Sequence, residues 1–285
     1  MAVGDLSDLK ARGAGSGAPG PVRRILRAGF GVTLPWVLPA GLLGLWVLSL
    51  DRGWVQPYQL PAPPTIVSTL IDLLGRGELA RHVGATLNRL LAGYALGAAP
   101  GVLLGLLAGT SVNFRRFLDP TVQGLRAVPS LAWVPLFLLW FGIGEQARVY
   151  LIALGAFLPV YLNTMAAVGS VDRKLIELAG AYGFGPLKIL FRVILPGSMP
   201  GVFNGLRSGL SLAWMFVVAA ELIAASNGLG FMLVEGQSTM RPDRVLVSLL
   251  TFAVLGRGSD TLLAALERRL LVWRDTLAMT QEERR

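Results

Sequence analysis

The sequence predicts an all-α, polytopic membrane protein with six transmembrane helices and both termini in the cytoplasm. Three observations carry that expectation. Of the 285 residues, 53% are hydrophobic and only 15% charged, with a mean hydropathy of +0.59, too apolar for a chain whose surface faces water. Residues 28–50, 90–114, 127–144 and 149–171 contain no Asp, Glu, Lys or Arg, and 208–234 contains only Glu221. A helix needs about 20 mainly apolar residues to cross a bilayer. With the N-terminus inside, Arg23, Arg24, Arg27, Arg115, Arg116, Arg173, Lys174, Lys188, Arg192, Arg268 and Arg269 all gather on the cytoplasmic side, and an excess of Lys and Arg sets orientation.

Residues 1–27, rich in Gly, Ala and Arg, have no compact apolar run leading to a cleavage site and read as a disordered cytoplasmic tail. A transmembrane domain follows over 28–275, and 276–285 forms a cytoplasmic C-terminal tail. After the first span, Pro57, Pro61, Pro63 and Pro64 keep the chain extended. Ile66, Val67, Leu70, Ile71 and Leu74 then recur at helical spacing, which suits an amphipathic helix on the outer surface. The second span carries Gly93, Gly97, Gly101, Gly105 and Gly109, one small residue every four positions. That face lets another backbone approach closely, so it is a helix-packing device.

In the third span Pro129 and Pro135 should interrupt the hydrogen-bond ladder. Freed carbonyls at membrane depth are tolerated where they line a watery cavity, and broken helices mark transport paths. Pro129 and Pro135 are candidate pathway residues on this reading, or mark a kinked packing helix on the plainer one; Arg126, Asn163, Ser208 and Ser211 are further pathway candidates, the last three equally explained by helix–helix hydrogen bonds. Arg126 lowers the barrier for an anion on this reading, or snorkels to the interface on the plainer one. Glu221 would repel an anion, so a hydrogen-bonded structural role near the outer end suits it better. The sixth span is short: 245–256 covers about 18 Å as a helix. A start at Pro242 lengthens it, with Arg244 and Arg257 reaching opposite interfaces.

The interval 172–204, on the cytoplasmic side, is too patterned for a passive loop. Ile176, Ala179, Ala181 and Tyr182 support a short helix ended by Gly183 and Gly185, and Pro186 opens a second with Leu187, Leu190, Phe191 and Ile194. Pro196 and Pro200 then break the chain again. Two short helices hinged at glycine form a knob suited to a groove on another protein.

The net charge of +9 would raise nucleic acid as a partner in a soluble protein, but here the basic residues are accounted for by orientation. With no cysteine there is no disulfide, thiolate metal site or cysteine nucleophile, and no metal-ligand spacing appears. His82, the only histidine, reads as a solvated loop residue. No Gly-rich phosphate loop ending in Gly-Lys-Ser/Thr occurs in the sequence.

The run Glu177-Leu178-Ala179-Gly180-Ala181-Tyr182-Gly183, followed after nine residues by Val193-Ile194-Leu195-Pro196, resembles the EAA motif of type I ABC importer permeases. Leu178 and Val193 replace the motif's Ala and Ile by apolar exchange. The resemblance implies that Glu177, Ala179, Gly183, Val193, Leu195 and Pro196 belong to a coupling element that docks on an ATP-binding subunit. Further runs, Leu60-Pro61-Ala62-Pro63, Arg126-Ala127-Val128-Pro129, Trp140-Phe141-Gly142-Ile143-Gly144 and Ala220-Glu221-Leu222-Ile223, are similar to the permeases for aliphatic sulfonates, taurine and nitrate, most of all the sulfonate permease.

It follows from the resemblance that the chain is a permease subunit and no enzyme, with ATP and Mg on the partner ATPase. A periplasmic solute-binding protein would deliver the cargo, and a second permease copy would complete the pathway. Membrane lipid surrounds the subunit in a bacterial inner membrane. Taurine, nitrate or a pyrimidine-type solute is the alternative cargo. A secondary transporter or channel is the rival class, but it leaves the pattern from Glu177 to Pro196 without a purpose.

Overall fold

A computed structural model describes residues 37–129 and 132–271, and among the described residues the chain is helical with no strand. The two tails and residues 28–36, the start of the first predicted span, lie outside the described residues. The chain divides into two compact units, Met1–Pro63 and Pro64–Arg285. The first holds α1 (Val37–Asp51), an apolar helix shorter than a full crossing.

In the second unit, α2 (Pro63–Gly75) buries Ile66, Thr69 and Leu73 and exposes Val67, Ile71 and Leu74, the two faces expected of an amphipathic piece. Gly77, at φ +66, turns the chain into α3 (Glu78–Thr110). This helix begins twelve residues before the predicted second span. The reason is that Arg89, which ends the uncharged run, is buried in ion pairs and does not need a water interface.

Ser111 caps α4 (Val112–Ala127) by accepting from the Phe114 N–H at 3.3 Å. The stretch 127–144, predicted as the third span, is not one helix. The chain leaves α4 at Val128 with extended backbone, and α5 (Trp133–Phe141) adds nine residues, about 14 Å. Pro129 stands in that break. Pro135 breaks nothing, because it falls in the first turn of α5, where N–H groups have no helical acceptor to lose.

Next come α6 (Glu145–Gly169), α7 (Arg173–Ala181) and α8 (Pro186–Ile189), which runs through a π turn at Leu190–Ile194 into α9 (Leu195–Ala224). The expected break at Pro196 and Pro200 is absent: Pro186–Ile223 counts as one 38-residue helix, about 57 Å long. Leu195 N–H reaches back to the Leu190 carbonyl in a wider i→i+5 turn, and Pro196 sits at the start of the following α-helix, where its missing N–H costs least.

The last elements are α10 (Leu229–Ser238) and α11 (Pro242–Leu270). Pro242 does open the last helix, which is 29 residues long. Among the described residues four helices are long and apolar enough to cross a membrane: Glu78–Thr110, Glu145–Gly169, Pro186–Ile223 and Pro242–Leu270.

Helix α6 is the central rod, packed against α3 on one side and α9 on another. Ile152, Ala156, Ala213 and Val217 are fully enclosed between them. The glycine ladder is the α3 half of this contact. A Cβ on Gly93 would lie 2.6 Å from Ile152 Cβ, one on Gly105 2.7 Å from Thr164 Cβ, and one on Gly109 2.5 Å from Val168 Cβ. At Gly97 a Cβ would strike the Ala153 carbonyl, and at Gly101 it would press on Val160. Outside, Leu91, Leu103, Leu139, Leu250, Val254 and Leu262 are exposed, while Thr86, Arg89, Thr164, Glu221 and Ser248 are buried. Such polar-in, apolar-out packing belongs to a bundle whose solvent is lipid.

Candidate functional site

Three constructions in the second unit unite the chemistry-bearing residues. The first is the knob. Asp172 Oδ1 accepts from the Lys174 N–H at 2.9 Å and starts α7. At the other end the Gly183 N–H donates to the Gly180 carbonyl (2.9 Å) and the Phe184 N–H to the Ala179 carbonyl (3.0 Å). With Gly183 at φ +74 this is a Schellman stop, which needs a left-handed residue and therefore favours glycine. Pro186 then starts the long rod.

Ala179 is buried beneath the knob, Val193, Leu195 and Pro196 are half-buried under it, and Glu177 and Gly183 face outward. Leu175, Leu178, Tyr182, Leu187 and Phe191 are exposed on the same knob. Between α7 and the rod lies a groove of about 450 Å³, bounded by Leu178, Tyr182, Phe184 and Val193. Lys188 Nζ stands 4.0 Å over the Phe184 ring, stiffening the turn.

The second construction is a cavity of about 410 Å³ among α4, α5, α6 and α9. It brings Arg126 and Asn163 together with Trp133, Leu158, Leu212 and Phe216. Arg126, in the last turn of α4, has no hydrogen-bond or ion-pair partner among the described residues. Asn163 Nδ2 donates to the Pro159 carbonyl at 2.8 Å. Of the other candidates, Pro129 sits in the adjacent break and Pro135 is exposed on α5. Ser208 is half-buried on α9, and Ser211 donates to the Arg207 carbonyl at 3.1 Å beside a different hollow, next to Trp214.

The third construction, unforeseen from the sequence, is a buried ionic clamp. The Arg89 guanidinium donates from Nε and Nη2 to both Glu145 oxygens at 2.6 Å. Its Nη1 donates to Glu221 Oε1 (2.7 Å) and the Asn227 carbonyl (2.8 Å), and Nη2 also meets the Asn227 side chain. Glu221, 1% exposed, further accepts from Thr86 Oγ1 (2.9 Å) and the Gly230 N–H (2.8 Å). Arg148 pairs with Glu145 at 2.8 Å, so two arginines face two carboxylates.

His82 belongs to this assembly and is not a loop residue. It lies half-buried on α3, its Nδ1 accepts from the Gly228 N–H at 3.1 Å, and its ring stacks on Phe231. The clamp thus ties α3, the start of α6, the end of α9 and the turn into α10. The signal was there: an intramembrane carboxylate demands a partner, and His82, Thr86 and Arg89 share one face of a helix.

Among the described residues no group of three or more His, Asp or Glu could hold a metal.

Comparison with known proteins agrees with this geometry. The family described as "binding-protein-dependent transport system inner membrane component" matches residues 101–272. The chain is 40% identical over 240 residues to a Bacillus subtilis protein named as an aliphatic sulfonates transport permease, covering 84% of this chain and 87% of that one. It is 36% identical to the taurine transport system permease protein of Escherichia coli, over 85% of this chain and 90% of that one. Among solved structures, the methionine ABC transporter MetNI in inward-facing conformations superposes with a TM-score of 0.57 at 21% identity, over 67% of this chain and 95% of that one, a likeness of fold.

Proposed function

Because the chain belongs to the binding-protein-dependent transport system inner membrane component family, and is thus a permease subunit of an ABC importer, we propose that it carries a small organic anion, an aliphatic sulfonate, from periplasm to cytoplasm by alternating access. Family membership implies an ATP-binding subunit and a substrate-binding protein as partners, with ATP hydrolysis carried by the former. The chain is a multi-pass membrane protein. The finer parts of the reading are that it sits in a bacterial inner membrane with six spans and both termini inside, pairs with a second copy, and leaves ATP and Mg to its ATPase.

One observation carries the mechanical part. Helix α8 of the knob is the first turn of the rod Pro186–Ile223, α7 is hinged to it at residues 183–185, and Glu221 of the clamp is on that same rod. A push by a closing ATPase dimer on Leu187, or on Leu178 and Tyr182 through the contact of α7 with the rod, is therefore delivered along one helix toward the far end of the bundle. Glu177, Ala179, Gly183, Val193, Leu195 and Pro196 act as the coupling element; Arg126, Pro129 and Asn163 border the path, with Pro135, Ser208 and Ser211 at its periphery. A relative named for taurine favours the second reading, in which the same machine moves taurine.

Vesicles holding the permease, its ATP-binding subunit and the binding protein test the proposal. Accumulation of an alkanesulfonate that requires ATP supports it; sulfonate flux at the same rate without ATP or the ATPase contradicts it.

A further inference from the structure

Resting on the importer reading, we infer that the Arg126 cavity is a selective site within the permease itself, one that takes a monoanion with an apolar body and discriminates against zwitterions and small hydrated anions. The cavity, about 410 Å³, is bounded by one unpaired guanidinium and one amide against walls supplied by Trp133, Leu158, Leu212 and Phe216. No carboxylate lines it. Each part selects something.

The guanidinium fork offers several donors to an oxyanion, and no described residue competes for them. Asn163 adds a donor: one amide N–H holds the Pro159 carbonyl, which leaves the second free. An alkyl body gains by contact with Leu158, Leu212 and Phe216, up to about four-fold in affinity per buried methylene. An ammonium group on the same solute finds no anionic partner and loses its water. Nitrate has no apolar body for the walls to hold. A plainer explanation for Arg126, a cation settled at the C-terminus of α4, accounts for its place on the helix but not for its opening onto this cavity.

Among the solutes for which relatives are named, the site therefore separates alkanesulfonates from taurine, which shares the sulfonate but carries an ammonium. An anionic phospholipid shares the amphiphilic chemistry and must be separated by experiment.

The test uses the complex of permease and ATP-binding subunit in nanodiscs of neutral phosphatidylcholine, without the binding protein, so that selectivity belongs to the membrane part. Binding of labelled hexanesulfonate is competed with butanesulfonate, methanesulfonate, taurine, nitrate and added anionic phosphatidylglycerol. The expected order is hexane-, butane-, then methanesulfonate, with taurine and nitrate at least about ten-fold weaker than butanesulfonate. Arg126→Gln should weaken hexanesulfonate at least about ten-fold and Arg126→Lys less. Leu212→Ser should flatten the chain-length dependence.

The inference is overturned by unchanged binding in Arg126→Gln, by taurine competing as well as butanesulfonate, or by displacement by phosphatidylglycerol alone. ATP-driven uptake, measured with the binding protein added, is a separate readout. Its absence for every solute defeats the importer reading, whereas uptake indifferent to Arg126 defeats only this site.

Discussion

At Arg89 a single side chain joins four segments, and its neighbours fix what its loss would do. Burying the Arg89 guanidinium and the Glu221 carboxylate is tolerable only while each is paired, so truncating the arginine leaves Glu221 buried without its cation, while the more exposed Glu145 keeps Arg148. Arg89→Ala should cost about 3–5 kcal/mol, seen as a large drop in thermal unfolding midpoint of the purified protein in detergent. Arg89→Met combined with Glu221→Gln should recover part of that loss, because the charge most deeply buried is then removed with its partner. Equal unfolding midpoints for Arg89→Ala and the parent chain would show that the clamp contributes nothing. Gly183 sets a smaller test: in its left-handed conformation an alanine costs about 1–2 kcal/mol locally, so Gly183→Ala should loosen the knob and lower transport per ATP without unfolding the bundle.

Elements decide whether such local changes travel. The α3–α6 contact leaves no room for a side chain at Gly97, where a Cβ would meet the Ala153 carbonyl, whereas Gly84 on the same helix has open space. Gly97→Val should therefore destabilise by about 1–3 kcal/mol or more, and Gly84→Ala should be neutral or slightly stabilising, both read by thermal unfolding. In the rod, Asn204→Pro removes one backbone hydrogen bond at an exposed position and kinks the helix between knob and clamp. ATP hydrolysis should persist while solute accumulation falls at least ten-fold; intact accumulation would mean that the rod does not carry the stroke.

Much of this was legible beforehand. Uncharged runs marked most of α3 and α6, Pro186 and Pro242 marked helix starts, and Gly183 marked the stop of α7, since these depend on local backbone chemistry; the run 208–234 caught only the second half of the rod and ran past its end at Ala224 into α10. What the sequence hid was tertiary. Arg89 ended a span on paper because its partners lie 56 and 132 residues away, and Pro196 passed for a breaker because the π turn that accommodates it is invisible to composition. Pro135 misled for the opposite reason, its position in a first turn being set by where Pro129 ended the preceding helix.

For the whole molecule, the proposed function rests on an apolar, outward-facing knob hinged to a stiff rod inside a lipid-solvated bundle. The knob's exposed Leu178, Tyr182 and Leu187 have no packing reason to be uncovered in the free chain, whereas an ATPase groove would bury them. The clamp at the rod's other end gives the motion something definite to act against. Since the chain has no cysteine, Leu187→Cys creates a unique thiol at the knob. Oxidative cross-linking of that thiol to single cysteines placed around the groove of the ATP-binding subunit, in the assembled and transporting complex, tests the central claim most directly. The account predicts a cross-link to the ATP-binding subunit whose formation changes when ATP closes the dimer. Absence of any cross-link from the knob in a complex that still accumulates solute on ATP would contradict it.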